Sequence, residues 1–243
     1  MIEAQNLAKV FKDKKRGEVR AVDDVSFNCN DGEVFGLLGP NGAGKTTTLR
    51  MLSTAIKPTS GKALVDGIDV TKNPREVRTR IGFLSGNTGL YARLTAREMV
   101  AYFGSLYGLS KAEIKTRIDK LFTLLDMHDF ADSRNEKLST GMKQKVSIAR
   151  SVLHDPPVMV FDEPTSGLDV MSSRSIVDFI RQCREDGKCV IFSTHIMSEA
   201  TRLCDRIAVI HKGRLYFQGT ADEMLKQTGQ DNLEDAFMKI VEK

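Results

Sequence analysis

Apolar residues fall into two textures that alternate along this chain. Residues 33–38 (EVFGLL), 158–161, 189–192 and 206–210 form short apolar runs without polar alternation, the pattern of strands covered on both faces. Residues 21–27 (AVDDVSF) alternate instead and predict a half-buried strand, closed by a turn at Asn30-Asp31-Gly32. A turn over residues 57–61 leads into a predicted strand pair about Asp66-Gly67. From about Gly86 to His154 the strand signals stop. Ile114, Ile118, Leu121 and Leu125 recur at helical spacing, and Thr95 with Glu98 and Ser110 with Glu113 form capping boxes. Beyond residue 210 a polar turn, His211-Lys212-Gly213-Arg214, leads into Leu215-Tyr216-Phe217. A third capping box, Thr220 with Glu223, opens a short C-terminal helical tail. Strands alternating with helices imply a largely parallel sheet with crossovers, interrupted by an inserted helical block of roughly 70 residues.

Composition narrows the class. The chain has 243 residues, 41% hydrophobic and 28% charged, which excludes a disordered chain, a collagen and a disulfide scaffold. No stretch approaches the roughly 20 apolar residues of a membrane helix. The opening MIEAQNLAKVF lacks the apolar run of a signal peptide, so a cytosolic location is expected. Cys29, Cys183, Cys189 and Cys204 lack CxxC spacing and read as reduced thiols rather than a zinc site. The net charge is only +4, with one basic run from Lys12 to Arg20. That run reads as a solvated hairpin loop, or as a patch facing anionic lipid or nucleotide. No aromatic residues interleave with it, so no nucleic-acid partner is expected.

The chemistry begins at residue 39. Gly39-Pro40-Asn41-Gly42-Ala43-Gly44-Lys45-Thr46 fits G-x-x-x-x-G-K-[ST], between an apolar strand and a helical pattern. A chance match in such a chain is about one in a hundred, so the motif is taken as a phosphate-binding loop, extended to Thr47. Its glycines admit phosphate oxygens close to the backbone, and the helix N-terminus adds N–H donors. Lys45 is expected on the β- and γ-phosphates and the Thr46 hydroxyl on Mg²⁺. The run 158–161 ends in Asp162-Glu163. Alone this is an ordinary strand end; with a phosphate loop upstream, Asp162 suits the metal and Glu163 the activation of water. Leu138-Ser139-Thr140-Gly141 precedes another helical pattern. Ser139 and Gly141 there form either a second anion site or a plain N-cap.

LSTGMKQK, lying just upstream of the Asp162-Glu163 strand, resembles the LSGGQ signature of ATP-binding-cassette ATPases. Thr165-Ser166-Gly167-Leu168-Asp169 resembles the D-loop of that family, and Ser193-Thr194-His195 its switch histidine. The resemblance extends from Ile2 to about Gly219, through IGFL at 81–84, GLY at 89–91, LCDRI at 203–207 and HKGRLYFQGT from His211. Within the family it is nearest to ATPase subunits of exporters with a separate membrane subunit, among them a sodium-efflux system. It implies an α/β fold: a P-loop NTPase core with a mostly parallel sheet, an N-terminal antiparallel β subdomain and an inserted α-helical subdomain. The divisions expected are residues 1–85 and 155–219 for the nucleotide-binding core, 86–154 for the helical subdomain and 220–243 for the tail.

Roles follow from the resemblance residue by residue. Phe11 stands where the family stacks an aromatic ring on adenine, against the alternative of a hairpin or core phenylalanine. His195 is expected at the γ-phosphate, steadying the attacking water with Glu163. Asp169 is expected at a dimer seam. Ser139 and Gly141 are expected to grip ATP held by the P-loop of a second copy, making a head-to-tail homodimer around two MgATP. A separate permease, met around residues 86–107, would hold the subunit at the cytoplasmic face of the membrane. Two departures stand out. Gly86 replaces the usual Gln that meets Mg²⁺ and the membrane partner, with Asn87 as a possible substitute. Thr140 and Met142 replace a Gly and the Gln of the signature. Rival readings are an iron–sulfur-type assembly ATPase, an exporter of drugs or peptides, and a binding-only module; intact Lys45, Asp162, Glu163 and His195 speak against the last.

Overall fold

The computed structural model describes residues 1–13, 17–86 and 89–242. Lys14, Lys15 and Arg16 of the basic run, and Asn87, lie outside them. Strands β1 (Ile2–Asp13), β2 (Gly17–Cys29), β4 (Ser60–Val65) and β5 (Ile68–Asp69) form an antiparallel sheet in the order β2-β1-β4-β5. The second sheet runs β10-β9-β3-β8-β7-β6, from β3 (Val34–Leu38), β6 (Ile81–Leu84), β7 (Val158–Asp162), β8 (Cys189–Thr194), β9 (Arg206–His211) and β10 (Arg214–Gly219). All its neighbouring pairs are parallel except the β9–β10 hairpin. The expected fold class is therefore the observed one.

The unalternating runs are strands with both faces covered. In β7 and β8, Val158, Val160, Cys189 and Ile191 pack toward helix α1 (Lys45–Leu52) and the antiparallel sheet. Their neighbours Met159, Phe161, Val190 and Phe192 pack toward the helices on the other face. Those helices are α3 (Ala96–Leu106), α4 (Lys111–Leu124), α5 (Thr140–Val152) and α6 (Val170–Glu185). Side chains of opposite pleat thus meet two different cores. A third core under Leu38, Ile207 and Val209 is closed by α7 (Met197–Leu203), α8 (Ala221–Thr228) and α9 (Leu233–Val241). The C-terminal helical segment consists of the two helices α8 and α9.

All three capping boxes form, with both reciprocal hydrogen bonds in each, at Thr95, Ser110 and Thr220. Periodicity did not anticipate α2 (Pro74–Arg80), whose seven residues bury only Val77, nor β1. Cys29 and Cys189 lie with their sulfurs 3.2 Å apart between the two sheets, and all four cysteines are free thiols.

His154, just past α5, joins the helical layer to the sheet. Its ring stacks on Tyr107 with centroids 3.7 Å apart, and Nε2 lies 3.2 Å from Ile81 O, while Nδ1 is buried without a partner. Burial pushes its pKa down from 6.5 to about 4. The folded chain therefore keeps the ring neutral while the unfolded chain takes up a proton. Stability from this group is complete above about pH 6.5 and is lost progressively as pH falls toward 4. The denaturation midpoint of the wild type should accordingly fall more steeply over that window than that of His154→Gln; parallel slopes would show that the ring titrates normally in the folded chain.

Candidate functional site

The loop after β3 is shaped by what surrounds its glycines. A Cβ on Gly39 would meet Ile210 O at 2.1 Å, so only glycine lets the loop lie this close to β9. Gly42 and Gly44 have φ of 80° and 111°, left-handed backbone that a side chain would strain. The turn between β9 and β10 braces the loop, with Gly213 N–H donating to Ala43 O at 2.8 Å. The resulting cavity of about 120 Å³ is lined by Ala21 and residues 41–47, with Glu163 at its wall. Lys45 is only 4% exposed. Its ammonium donates to Gly39 O at 2.7 Å and Pro40 O at 3.2 Å, and lies 3.4 Å from Glu163 Oε1.

Strand register brings the acids to the same place. β7 ends at Asp162 directly opposite Ser193 of β8. Asp162 Oδ1 accepts from Ser193 Oγ at 2.7 Å and from Thr46 Oγ1 at 3.0 Å. Ser193 Oγ in turn accepts from the Glu163 N–H at 3.0 Å. Glu163 has φ 49°, a left-handed turn that carries its side chain off the strand. Its Oε1 then lies 3.3 Å from His195 Nδ1 as well as near Lys45. Lys45, Thr46, Asp162, Glu163 and His195 therefore converge at the carboxyl ends of β3, β7 and β8. The Thr46 hydroxyl and Asp162 carboxylate are hard oxygen donors. Among the described residues no group of three or more His, Cys, Asp or Glu could cage a metal. Two such oxygens without a cage fit Mg²⁺, which keeps waters and takes phosphate oxygens.

The remaining candidates lie elsewhere. Ser139 caps α5, accepting from Met142 N–H at 3.2 Å. A Cβ on Gly141 would meet Ser172 Oγ at 2.4 Å, so α5 presses directly on α6 here. Asp169 caps α6; the Ser172 N–H and hydroxyl, at 2.9 and 2.8 Å, hold its carboxyl below the usual range. Phe11 is 40% exposed on β1, with the Lys9 ammonium 5.2 Å from its ring centre. None of these four lines the P-loop cavity. Sequence reasoning named Ser193 only as part of the His195 segment and did not single out Ala21: the β7–β8 register sets Ser193 against Asp162, and Ala21 of β2 stands at the cavity wall. Gly86 sits beside the acids: a Cβ there would lie 3.9 Å from Asp162 O.

Residues 22–166 match the family described as ABC transporter. The chain belongs to that family. It is 46% identical over 239 residues to the ABC transporter ATP-binding protein NatA of Bacillus subtilis (strain 168), covering 98% of this chain and 97% of that one. It is 35% identical to the probable multidrug ABC transporter ATP-binding protein YbhF of Escherichia coli (strain K12), covering 99% of this chain and 42% of that one. Among solved structures, the ATP-binding subunit of an ABC transporter matches with a TM-score of 0.87 at 29% identity, over 99% of both chains. A dimeric ATP-binding cassette in a post-hydrolysis state, bound to ADP and Pi, matches with a TM-score of 0.82 at 28% identity, over 90% of this chain and 98% of that one. The ABC chain described here is thus an ATP-binding subunit whose ATP hydrolysis is coupled to transport.

The glycine geometry is testable. Gly39→Ala must push the loop off β9 and should weaken ATP binding by at least about tenfold, ~1.4 kcal/mol. Gly89→Ala, whose Cβ meets nothing within 4 Å, should leave binding unchanged. Titration with a fluorescent ATP analogue compares them, and equal affinities would remove the close-approach argument.

Proposed function

We propose that this subunit powers an exporter: two copies close head to tail around two MgATP, and reopening after hydrolysis moves a separate permease. The observation that carries this reading is the split of the candidate residues. Lys45, Thr46 and Glu163 line one cavity, with Asp162 bonded to Thr46 and His195 beside Glu163, while Ser139, Gly141 and Asp169 cluster at the adjoining ends of α5 and α6, outside it. A second copy brings the latter set to the former's phosphates. The dimeric cassettes among the structural relatives support this arrangement.

Within each site, the P-loop N–H groups and Lys45 hold the phosphates, and Thr46 and Asp162 would hold Mg²⁺, which neutralises phosphate charge when bound. Glu163 takes the proton of the attacking water. His195 orients Glu163 and faces the γ-phosphate, and Phe11 supports the adenine. These roles rest on the contacts above together with the family resemblance.

Among the described residues no helix is long and apolar enough to cross a membrane. The permease would supply the pathway and hold the subunit at the cytoplasmic face. Tyr91, Tyr102, Leu106 and Tyr107 are 38–64% exposed along one stretch of the helical layer. A groove lined by Gly86, Leu90 and Lys143 lies in the same region. We take this surface as the docking face. Sodium is the first cargo to test, on the resemblance to a sodium-efflux ATPase. A drug is the second, favoured by a 35% identical linearmycin-resistance ATP-binding protein of Bacillus subtilis. Co-expression with the permease and efflux from inverted vesicles, with sodium and with linearmycin, separates the two.

Two mutational outcomes test the site. Glu163→Gln keeps shape and removes the base, so hydrolysis should fall by roughly 10²-fold or more while ATP binding persists and dimer accumulates. Wild-type turnover would remove Glu163 from that role. Ser139→Arg should abolish hydrolysis yet leave single-chain ATP affinity near normal. Mixing it with Lys45→Ala should restore about one working site per heterodimer, and a mixture with no recovery would sink the composite site.

A further inference from the structure

We infer that Glu199 is a positioning residue for hydrolysis: its carboxylate ties together the two loops that carry Glu163 and His195. The inference rests on the roles proposed above for those two residues.

The need for a tie comes from the sheet. The β7–β8 ladder ends with Asp162 opposite Ser193. Beyond it the chain leaves β7 through residues 163–169 toward α6, and leaves β8 through His195 and Ile196 toward α7. No ladder holds these exits together, yet Glu163 Oε1 and His195 Nδ1 must keep their 3.3 Å contact. Glu199 in the first turn of α7 reaches both. Its Oε1 accepts from Thr165 Oγ1 at 2.5 Å, and its Oε2 accepts from Thr194 Oγ1 at 2.8 Å. Thr165 stands two residues after Glu163, and Thr194 immediately precedes His195. Both threonines are nearly enclosed, 5% and 2% exposed. Thr194 Oγ1 also accepts from the Ile196 N–H at 3.0 Å, which fixes the backbone on the far side of His195.

The geometry suits a carboxylate. The two threonine hydroxyls donate to different oxygens of Glu199; an amide would put an NH2 donor in place of one oxygen, so one hydroxyl would have to turn round or lose its bond. Hydrogen bonds to an ionised acceptor are also the stronger kind. An acidic residue in a helix's first turn can serve the helix dipole alone. That bland role predicts a small stability change and no effect on turnover. The tether predicts a loss of turnover, because misplacing catalytic groups by about 1 Å can cost about 10²-fold.

The test uses the full-length chain. Glu199→Gln and Thr165→Val should each lower kcat by about tenfold to a hundredfold, with KM for ATP within about twofold, since the P-loop is untouched. The double variant should be no worse than the poorer single one, because both remove the same link. Thr165→Ser, which returns the hydroxyl, should recover most of the rate. All rates are taken well below each variant's denaturation midpoint. Wild-type kcat in both single variants, independent multiplicative losses in the double, or KM rising together with the fall in kcat would overturn the tether. Glu163→Gln is the parallel control. If it is inactive while Glu199→Gln and Thr165→Val turn over normally, only the tether fails; if it is itself active, the reading of the whole site fails.

Discussion

A carboxylate that is only 5% exposed must be satisfied by hydrogen bonds, and Asp162 is the point on which the rest of this molecule is hung. Leaving such a charge unpaired costs several kcal/mol. Its two donors come from elements far apart in sequence: Thr46 opens the helix after β3, and Ser193 lies near the end of β8. Meeting both demands fixes the architecture locally. β8 must adjoin β7 with Ser193 level with Asp162, and α1, which follows β3, must come within reach of the end of β7. The observed order β3-β8-β7 does this, and α1 packs on β7. The same register delivers Glu163 and His195 to the phosphate loop. Satisfying one buried charge and assembling the candidate site are here a single geometric condition.

The signature segment answers to different forces. The apolar face of α5, including Val146, Ala149 and Val152, is sunk in the helical core with Phe122 and Leu125. Ser139 is occupied in capping its own helix, and Gly141 is required by the approach of Ser172. Gly141 thus has a packing reason within one chain, before any phosphate from another copy is considered. Thr140 at the neighbouring position is exposed and meets no such constraint. This explains how the signature tolerates Thr140 at a position usually held by glycine.

Legibility in the sequence followed the range of the interactions. The three capping boxes are local, with both partners three residues apart, and the phosphate loop has a fixed residue spacing although its bracing partners are distant, so spacing alone reveals them. Strands β3, β7 and β8 were legible because burial on both faces makes their apolar runs continuous. β1 was not. Asn6 adopts φ 48° and the pairing with β2 shifts register between Ala4 and Leu7, which breaks the alternation on which a strand reading depends. The contacts of Ser193 and Glu199 were invisible for a stronger reason. Ser193 meets Glu163 across 30 residues and Glu199 meets Thr165 across 34, and only the register of β7 against β8 brings these pairs together, although Glu199 also bonds the nearby Thr194.

Glu163 shows what the site costs. A non-glycine residue in the left-handed region carries a penalty of about 1–2 kcal/mol, and here it is opposed by the hydrogen bond from the Glu163 N–H to Ser193 Oγ. An extended backbone at residue 163 would continue β7 and aim the side chain toward one face of the sheet, and both faces of β7 are covered. The left-handed turn instead lifts the carboxylate out at the strand end. One oxygen, Oε1, then faces both the Lys45 ammonium and the His195 ring. The Lys45 ammonium lies 3.4 Å from that oxygen and His195 Nδ1 3.3 Å from it. Lys45 comes from the helix after β3 and His195 from the end of β8, so a single oxygen at the end of β7 touches both neighbouring segments. Backbone strain at this one residue is the means by which the fold joins the exits of β7 and β8 to the phosphate loop.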